Sequence, residues 1–199
     1  MGELVLVRHG ETEWSAAKRH TSYTDLPLTP RGEQQAEALG PLLRERPIAL
    51  VLTSPLRRAG DTACLAGLAG AEVDPDLHEW FYGAYEGLTT SQIREARPDW
   101  NLWTDGCPPG PHGELGEVPS DVGARADRVL ARVATPLDDP AGGDVVLVAH
   151  GHLLRVLTAR RLGLPASDGA LFALETGTVS RSGTEHGRPV LTRWNLTPR

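Results

Sequence analysis

Three short apolar runs limit what this chain can fold into more than any other feature. Leu4–Val7, Ile48–Thr53 and Val145–Ala149 are continuous rather than alternating, and each gives way at once to polar residues. A strand covered on one face alternates apolar and polar side chains, whereas a run that is apolar throughout needs cover on both faces. Helix signals lie between the runs. Thr29-Pro30 reads as an N-cap and N1 proline, followed by Ala36, Leu39 and Leu43 on one face. Pro41 predicts a kink or weak point there. Ser54-Pro55 reads as the start of a second helix, Ser120 as the cap of a third carrying Val122, Ala126, Val129 and Val133, and Leu153–Leu162 as a fourth. Strands alternating with helices predict a single three-layer α/β/α domain over residues 1–199, with a mostly parallel central sheet. Pro189–Leu196 reads as a late edge strand.

The 199 residues suit one domain with a sizeable core. With a formal charge of −6, a pI of about 5.6 and no cluster of Lys and Arg, nucleic acid and anionic membrane surfaces are excluded as expected partners. No stretch approaches the roughly 20 apolar residues of a membrane span, and the four-residue run near the start is too short for a signal peptide. Cys64 and Cys107 form no CxxC pair, which predicts free thiols and a cytoplasmic protein. The oligomeric state is open, a homodimer included. Trp103–Pro119 is rich in turn residues, and its Gly106–Val118 part reads as a surface insertion or a lid at the rim of a site.

In open α/β sheets ligands bind at the carboxyl ends of the strands. The polar residues after the first run are Arg8, His9 and Gly10; after the second, Thr53, Ser54, Arg57 and Arg58; after the third, His150, Gly151 and His152. If the three strands are neighbours, two histidines and one or two arginines converge. Arginine forks suit phosphate oxygens, helix N-termini add N–H donors, and a neutral histidine can attack phosphorus. Glu79, in Leu77-His78-Glu79-Trp80-Phe81-Tyr82, is the expected proton donor, since apolar surroundings would raise its pKa towards the range of a general acid. Trp80, Phe81 and Tyr82 read as core or pocket wall, and Arg57 as a surface cation. His150 and His152 also fit a zinc pair, but no third ligand is evident. His20, His78, His112 and His186 read as exposed or locally bonded, with no role.

Leu6-Val7-Arg8-His9-Gly10-Glu11-Thr12 resembles the signature of the histidine phosphatase superfamily, the phosphoglycerate mutase-like enzymes. Ser54–Ala63, Leu77–Gly87 and Ala149–His152 resemble three further segments of that family, in the same order, so the likeness runs from Leu4 to about Leu162. It implies a phosphoglycerate mutase-like fold and a phosphatase that needs neither metal nor cofactor. His9 would become phosphohistidine, and Arg8, Arg58 and His150 would complete the phosphate pocket. Glu79 would protonate the leaving oxygen and then activate water. Gly10, Thr12, Ser15, Thr21, Ser22, Tyr82 and Gly151 would contact the substrate. The chain departs from the family at Ser15, where asparagine is usual, at Ser22, where glycine is common, and at Val118, where the family has a small polar residue if Gly116-Glu117 is the aligned pair. The segments around Tyr23, Glu79 and Trp100 are most similar to actinobacterial acid phosphatases and to the sedoheptulose-1,7-bisphosphatase branch. That implies hydrolysis of small, sugar-phosphate-like monoesters at acidic pH. A cofactor-dependent phosphoglycerate mutase is the alternative. A non-catalytic phosphate-binding member would be expected to lack His9 or Glu79, and a metal-dependent hydrolase is the remaining option.

Overall fold

Strands Leu4–Arg8 (β1), Ile48–Thr53 (β2), Glu72–Val73 (β3), Asp144–Ala149 (β4), Val179–Glu185 (β5) and Arg188–Leu196 (β6) form one sheet in the order β3-β2-β4-β1-β5-β6. The computed structural model describes residues 2–44 and 46–198. The first four strands run parallel, as the unbroken apolar runs of β1, β2 and β4 suggest, and β5 and β6 extend the sheet antiparallel to their neighbours. The helices are Glu13–Ala16 (α1), Pro30–Leu43 (α2), Arg57–Leu65 (α3), Thr90–Ala96 (α4), Leu102–Asp105 (α5), Pro119–Asp138 (α6) and Gly151–Arg161 (α7).

The side chains of each central strand divide between two cores. Leu4, Leu6, Leu52, Val145 and Leu147 meet Val122, Ala126 and Val129 of α6 and Leu153, Leu154 and Leu157 of α7. Val5, Val7, Val51, Val146 and Val148 meet Leu39 and Leu43 of α2 and Ala59 and Ala63 of α3. Period-two alternation therefore sends every second residue to a different helix layer, and the expected α/β/α sandwich is the result. No helix among the described residues is long and apolar enough to cross a membrane.

Several boundaries differ from the sequence expectation. Ser54-Pro55 does not start a helix: α3 begins at Arg57, and Ser54 Oγ accepts the Leu56 N–H from the turn before it. Ser120 is not a cap either. Helix α6 begins at Pro119, and Asp121 accepts the Val118 N–H at 3.0 Å. Helix α2 continues through Pro41 to Leu43; a missing N–H that close to the end leaves most of the ladder intact. The late strand is confirmed at the sheet edge, where Pro189 faces Thr184. Its partner β5 mixes polar and apolar residues and carried no strand signal.

The loop after β1 lies against the first turn of α2. Thr29 caps α2 by accepting the Gly32 N–H, and its hydroxyl donates to Glu11 Oε1 at 3.0 Å. A Cβ on Gly32 would lie 2.1 Å from the Glu11 carbonyl oxygen, and one on Gly10 would lie 2.2 Å from that of Gly32. Both backbones are fixed, so neither contact can relax cheaply. Gly32→Ala should destabilise the protein by about 3 kcal/mol, read as a lower urea midpoint at unchanged slope. An unchanged midpoint would show that the loop after β1 yields freely.

Candidate active site

The register of β1 on β4 pairs Arg8 with Ala149, so the next residue on each strand is a histidine. The His9 and His150 ring centroids are 5.1 Å apart, at the carboxyl end of the sheet. His9 Nδ1 lies 2.7 Å from the Gly10 carbonyl oxygen, which can only accept. Nδ1 therefore holds the hydrogen, and the lone pair is on Nε2. Burial, then the charges of Arg58 and Arg8, push the His9 pKa well below the usual histidine value and keep the ring neutral. Gly10 N–H donates to Thr62 Oγ1 of α3, which ties the loop to the second helix layer.

Two buried guanidinium groups flank this ring. Arg8 bonds the Leu174 carbonyl oxygen through Nη1, while its Nε is buried with no protein partner. Arg58, only 1% exposed, donates from Nε to His150 Nδ1 and from its terminal nitrogens to the carbonyl oxygens of Thr21, Ser22 and Thr24. Burial lowers the pKa of both arginines, and the Glu79 carboxylate opposes it. His150 is fully buried, and its Nε2 lies 2.7 Å from Ser54 Oγ. Both of its ring nitrogens are thus engaged, and burial together with Arg58 depresses its pKa well below the ordinary value.

Glu79 comes from a loop on the other side. Its Oε1 accepts N–H bonds from Trp80 at 2.8 Å and Leu153 at 2.9 Å, and its Oε2 accepts from His152 at 3.0 Å. The first N–H groups of a helix have no intrahelical acceptor. His150 makes no side-chain cap on α7, so Glu79 caps that helix from outside the sequence neighbourhood. Behind it, Arg125 of α6 pairs with Glu117 at 2.8 Å and donates to the carbonyl oxygens of Asp76, His78 and Glu79. Glu117 in turn accepts the Phe81 N–H.

A cavity of about 700 Å³ joins these groups; Arg8, His9, Arg58, Glu79, Tyr82 and Gly151 line it, with Thr12, Ser15 and Thr21. Ser15 and Thr12 bond each other in a reciprocal cap of α1. Three expected contacts lie elsewhere. Gly10 and His150 stand behind the lining, and the Ser22 hydroxyl is turned to Glu86 at 2.6 Å, with only the Ser22 carbonyl reaching Arg58. The Gly106–Val118 segment contributes nothing to the lining; it packs behind the Glu79 loop, with the Glu117 N–H donated to the Phe81 carbonyl oxygen and the Ala84 N–H to that of Pro108. Arg57 is exposed and paired with Asp61. His112 and His186 are exposed.

Sequence reasoning missed part of the wall. His20 is buried, lines the cavity and packs at a tilt on Tyr82, with ring centroids 4.7 Å apart; burial lowers its pKa to about 4. His152 and Arg155 also line the cavity. Their spacing from Gly151 on the first turn of α7 was the available signal. Glu175 and Thr176 lie just before β5, which the sequence did not reveal. Among the described residues no group of three His, Cys, Asp or Glu side chains is arranged to hold a metal ion.

Two buried guanidinium groups beside a neutral histidine, with a glutamate lining the same cavity, form an arrangement suited to phosphoryl transfer. The sequence profile of the histidine phosphatase superfamily (branch 1) matches residues 4–197, and the chain belongs to that superfamily. It is a phosphatase. Its sequence is 46% identical over 196 residues to an acid phosphatase of Mycobacterium tuberculosis, covering 98% of this chain and 92% of that protein. It is 37% identical over 188 residues to sedoheptulose 1,7-bisphosphatase of Saccharomyces cerevisiae, covering 80% of this chain and 67% of that protein. The solved structure of an open reading frame product of Mycobacterium tuberculosis superposes with a TM-score of 0.89 at 45% identity, covering 100% of this chain and 99% of that one.

The charge environment of His9 is open to direct measurement. Arg58→Met removes a cation that disfavours protonation, so the His9 pKa should rise while staying coupled to burial. An NMR titration of the histidine Cε1–H signals reads this shift; no upward movement of His9 in the variant would contradict the assignment.

Proposed function

We propose that this phosphatase hydrolyses small, sugar-phosphate-like monoesters without a metal ion, through a phosphohistidine at His9. The observation that carries the reading is the buried Arg8 Nε, which has no protein partner, beside a His9 Nε2 with a free lone pair. A buried unsatisfied donor costs about 1–3 kcal/mol, and a phosphate oxygen would satisfy it.

His9 Nε2 attacks phosphorus, the bond from phosphorus to the ester oxygen breaks, and Glu79 gives its proton to the departing alkoxide. Water then attacks the phosphoryl group, Glu79 takes a proton from it, and the bond from phosphorus to Nε2 breaks to release inorganic phosphate. Arg8, whose guanidinium packs where a side chain on Gly151 would lie, and Arg58 would hold the charge on the transferring oxygens. Gly10, Ser22 and His150 would act through the groups they hold rather than by touching substrate. A cytoplasmic location belongs to the same proposal, supported by two unpaired thiols at Cys64 and Cys107.

Turnover of p-nitrophenyl phosphate in EDTA should persist in the native protein and vanish in His9→Ala. Loss of activity with chelator, or activity surviving in the variant, would refute the reading. Glu79→Gln should slow alkyl phosphates by roughly 10²–10⁴-fold and p-nitrophenyl phosphate much less, because that leaving group needs no proton. The pH dependence follows in sign. A depressed His9 pKa keeps the nucleophile neutral below pH 6.5, so protonation of His9 should not cost activity as the pH falls from neutral through that value. A mutase would convert 3-phosphoglycerate primed with its bisphosphate; no isomer is expected.

A further inference from the structure

The leaving group of any ester held at His9 must emerge towards Glu79, which protonates its oxygen. The wall on that side is built from His152, Tyr82 and His20. The His152 backbone N–H binds Glu79 Oε2, and both residues line the same cavity. We propose that His152 is a specificity-determining residue that donates a hydrogen bond from Nε2 to an oxygen on the carbon adjacent to the phosphoester carbon, selecting polyol phosphates over simple alkyl phosphates. This rests on the phosphatase reading above.

The ring is held rigidly. Its Nδ1 lies 2.6 Å from the Tyr82 hydroxyl, and the ring meets Trp103 edge-on at 5.4 Å. Arg155 in turn stacks over Trp103 at 4.4 Å and is anchored to the carbonyl oxygens of Gly169 and Ala170. Burial pushes the His152 pKa well down and the Tyr82 pKa well up, so both groups are neutral across the working range. The Tyr82 hydroxyl has no acceptor among the described residues other than His152 Nδ1. The network therefore assigns its proton to that bond and the imidazole hydrogen to Nε2. Nε2 has no hydrogen-bond partner among the described residues, and it is absent from the buried atoms that lack one. It is a donor with fixed direction, open to the cavity, beside the departing oxygen. An alkyl chain passing it would strand the donor, while a vicinal hydroxyl would satisfy it.

The test compares glycerol 1-phosphate with n-propyl phosphate, which has the same carbon skeleton and no hydroxyl. The native protein should favour glycerol 1-phosphate in kcat/KM by roughly 10-fold, the span of one neutral hydrogen bond. His152→Phe should bring that ratio close to one, and His152→Gln, whose amide nitrogen reaches the place of Nε2, should restore much of it. A native ratio near one, or a ratio that survives in His152→Phe, overturns the proposal. Parallel loss on both substrates with the ratio kept assigns His152 a structural role only and overturns it as well. Should His152→Phe not fold, Tyr82→Phe frees the tautomer and must lower the ratio; an unchanged ratio is again fatal. Propyl phosphate turnover in the native protein, and its loss in His9→Ala, judge the phosphatase reading separately.

Discussion

A buried carboxylate has to find donors, and Glu79 finds them at the start of α7. Its oxygens take the N–H groups of Trp80, His152 and Leu153. Those helix groups would otherwise be orphaned, since the residue preceding the helix is a histidine already committed to Ser54 and Arg58. One set of bonds thus closes the helix end and carries a loop residue to the cavity. The Arg125–Glu117 pair braces the same loop from behind through three carbonyl oxygens and the Phe81 N–H. Position of the acid is a property of two helices and not of its own segment.

The opposite wall follows a different rule. Positive charge is buried in Arg8 and Arg58 at a desolvation cost, and the three histidines nearest them, His9, His150 and His152, are all driven neutral. Neutral imidazoles make directional bonds whose tautomers their neighbours dictate. Gly10 sets the one on His9, Arg58 and Ser54 the one on His150, and Tyr82 the one on His152. A net charge of −6 over the chain says nothing of this cavity, where six Arg and Lys side chains face three glutamates.

The sandwich and its main strands were legible because β1 and β4 are buried on both faces along nearly their whole length, and β2 over its carboxyl half, so their composition is forced there. Strand β5 was not, since its buried Ser180 and Arg181 satisfy their polar groups through contacts distant in sequence, Ser180 with the Asn195 N–H and Arg181 with Asp144. The helix starts at Arg57 and Pro119 moved for a related reason. Ser54 and Asp121 had competing local partners that spacing alone does not rank. His20 reads as exposed or locally bonded, with no role, because nothing in its neighbourhood, Lys18-Arg19-His20-Thr21, indicates that Tyr82 and Trp100 will close over it.

By itself the amino-acid sequence determined the layer architecture, the strand ends at which chemistry could occur and the triplet Arg8-His9-Gly10 with its superfamily. Those are set by local composition and by residues adjacent in the chain. Only the tertiary structure decided which groups face the cavity. His150, Gly10 and the Ser22 hydroxyl stand behind the lining, while His20, His152 and Arg155 join it. The physical reason is that exposure to a cavity depends on hydrogen bonds made by the far side of each residue, and those partners come from other elements.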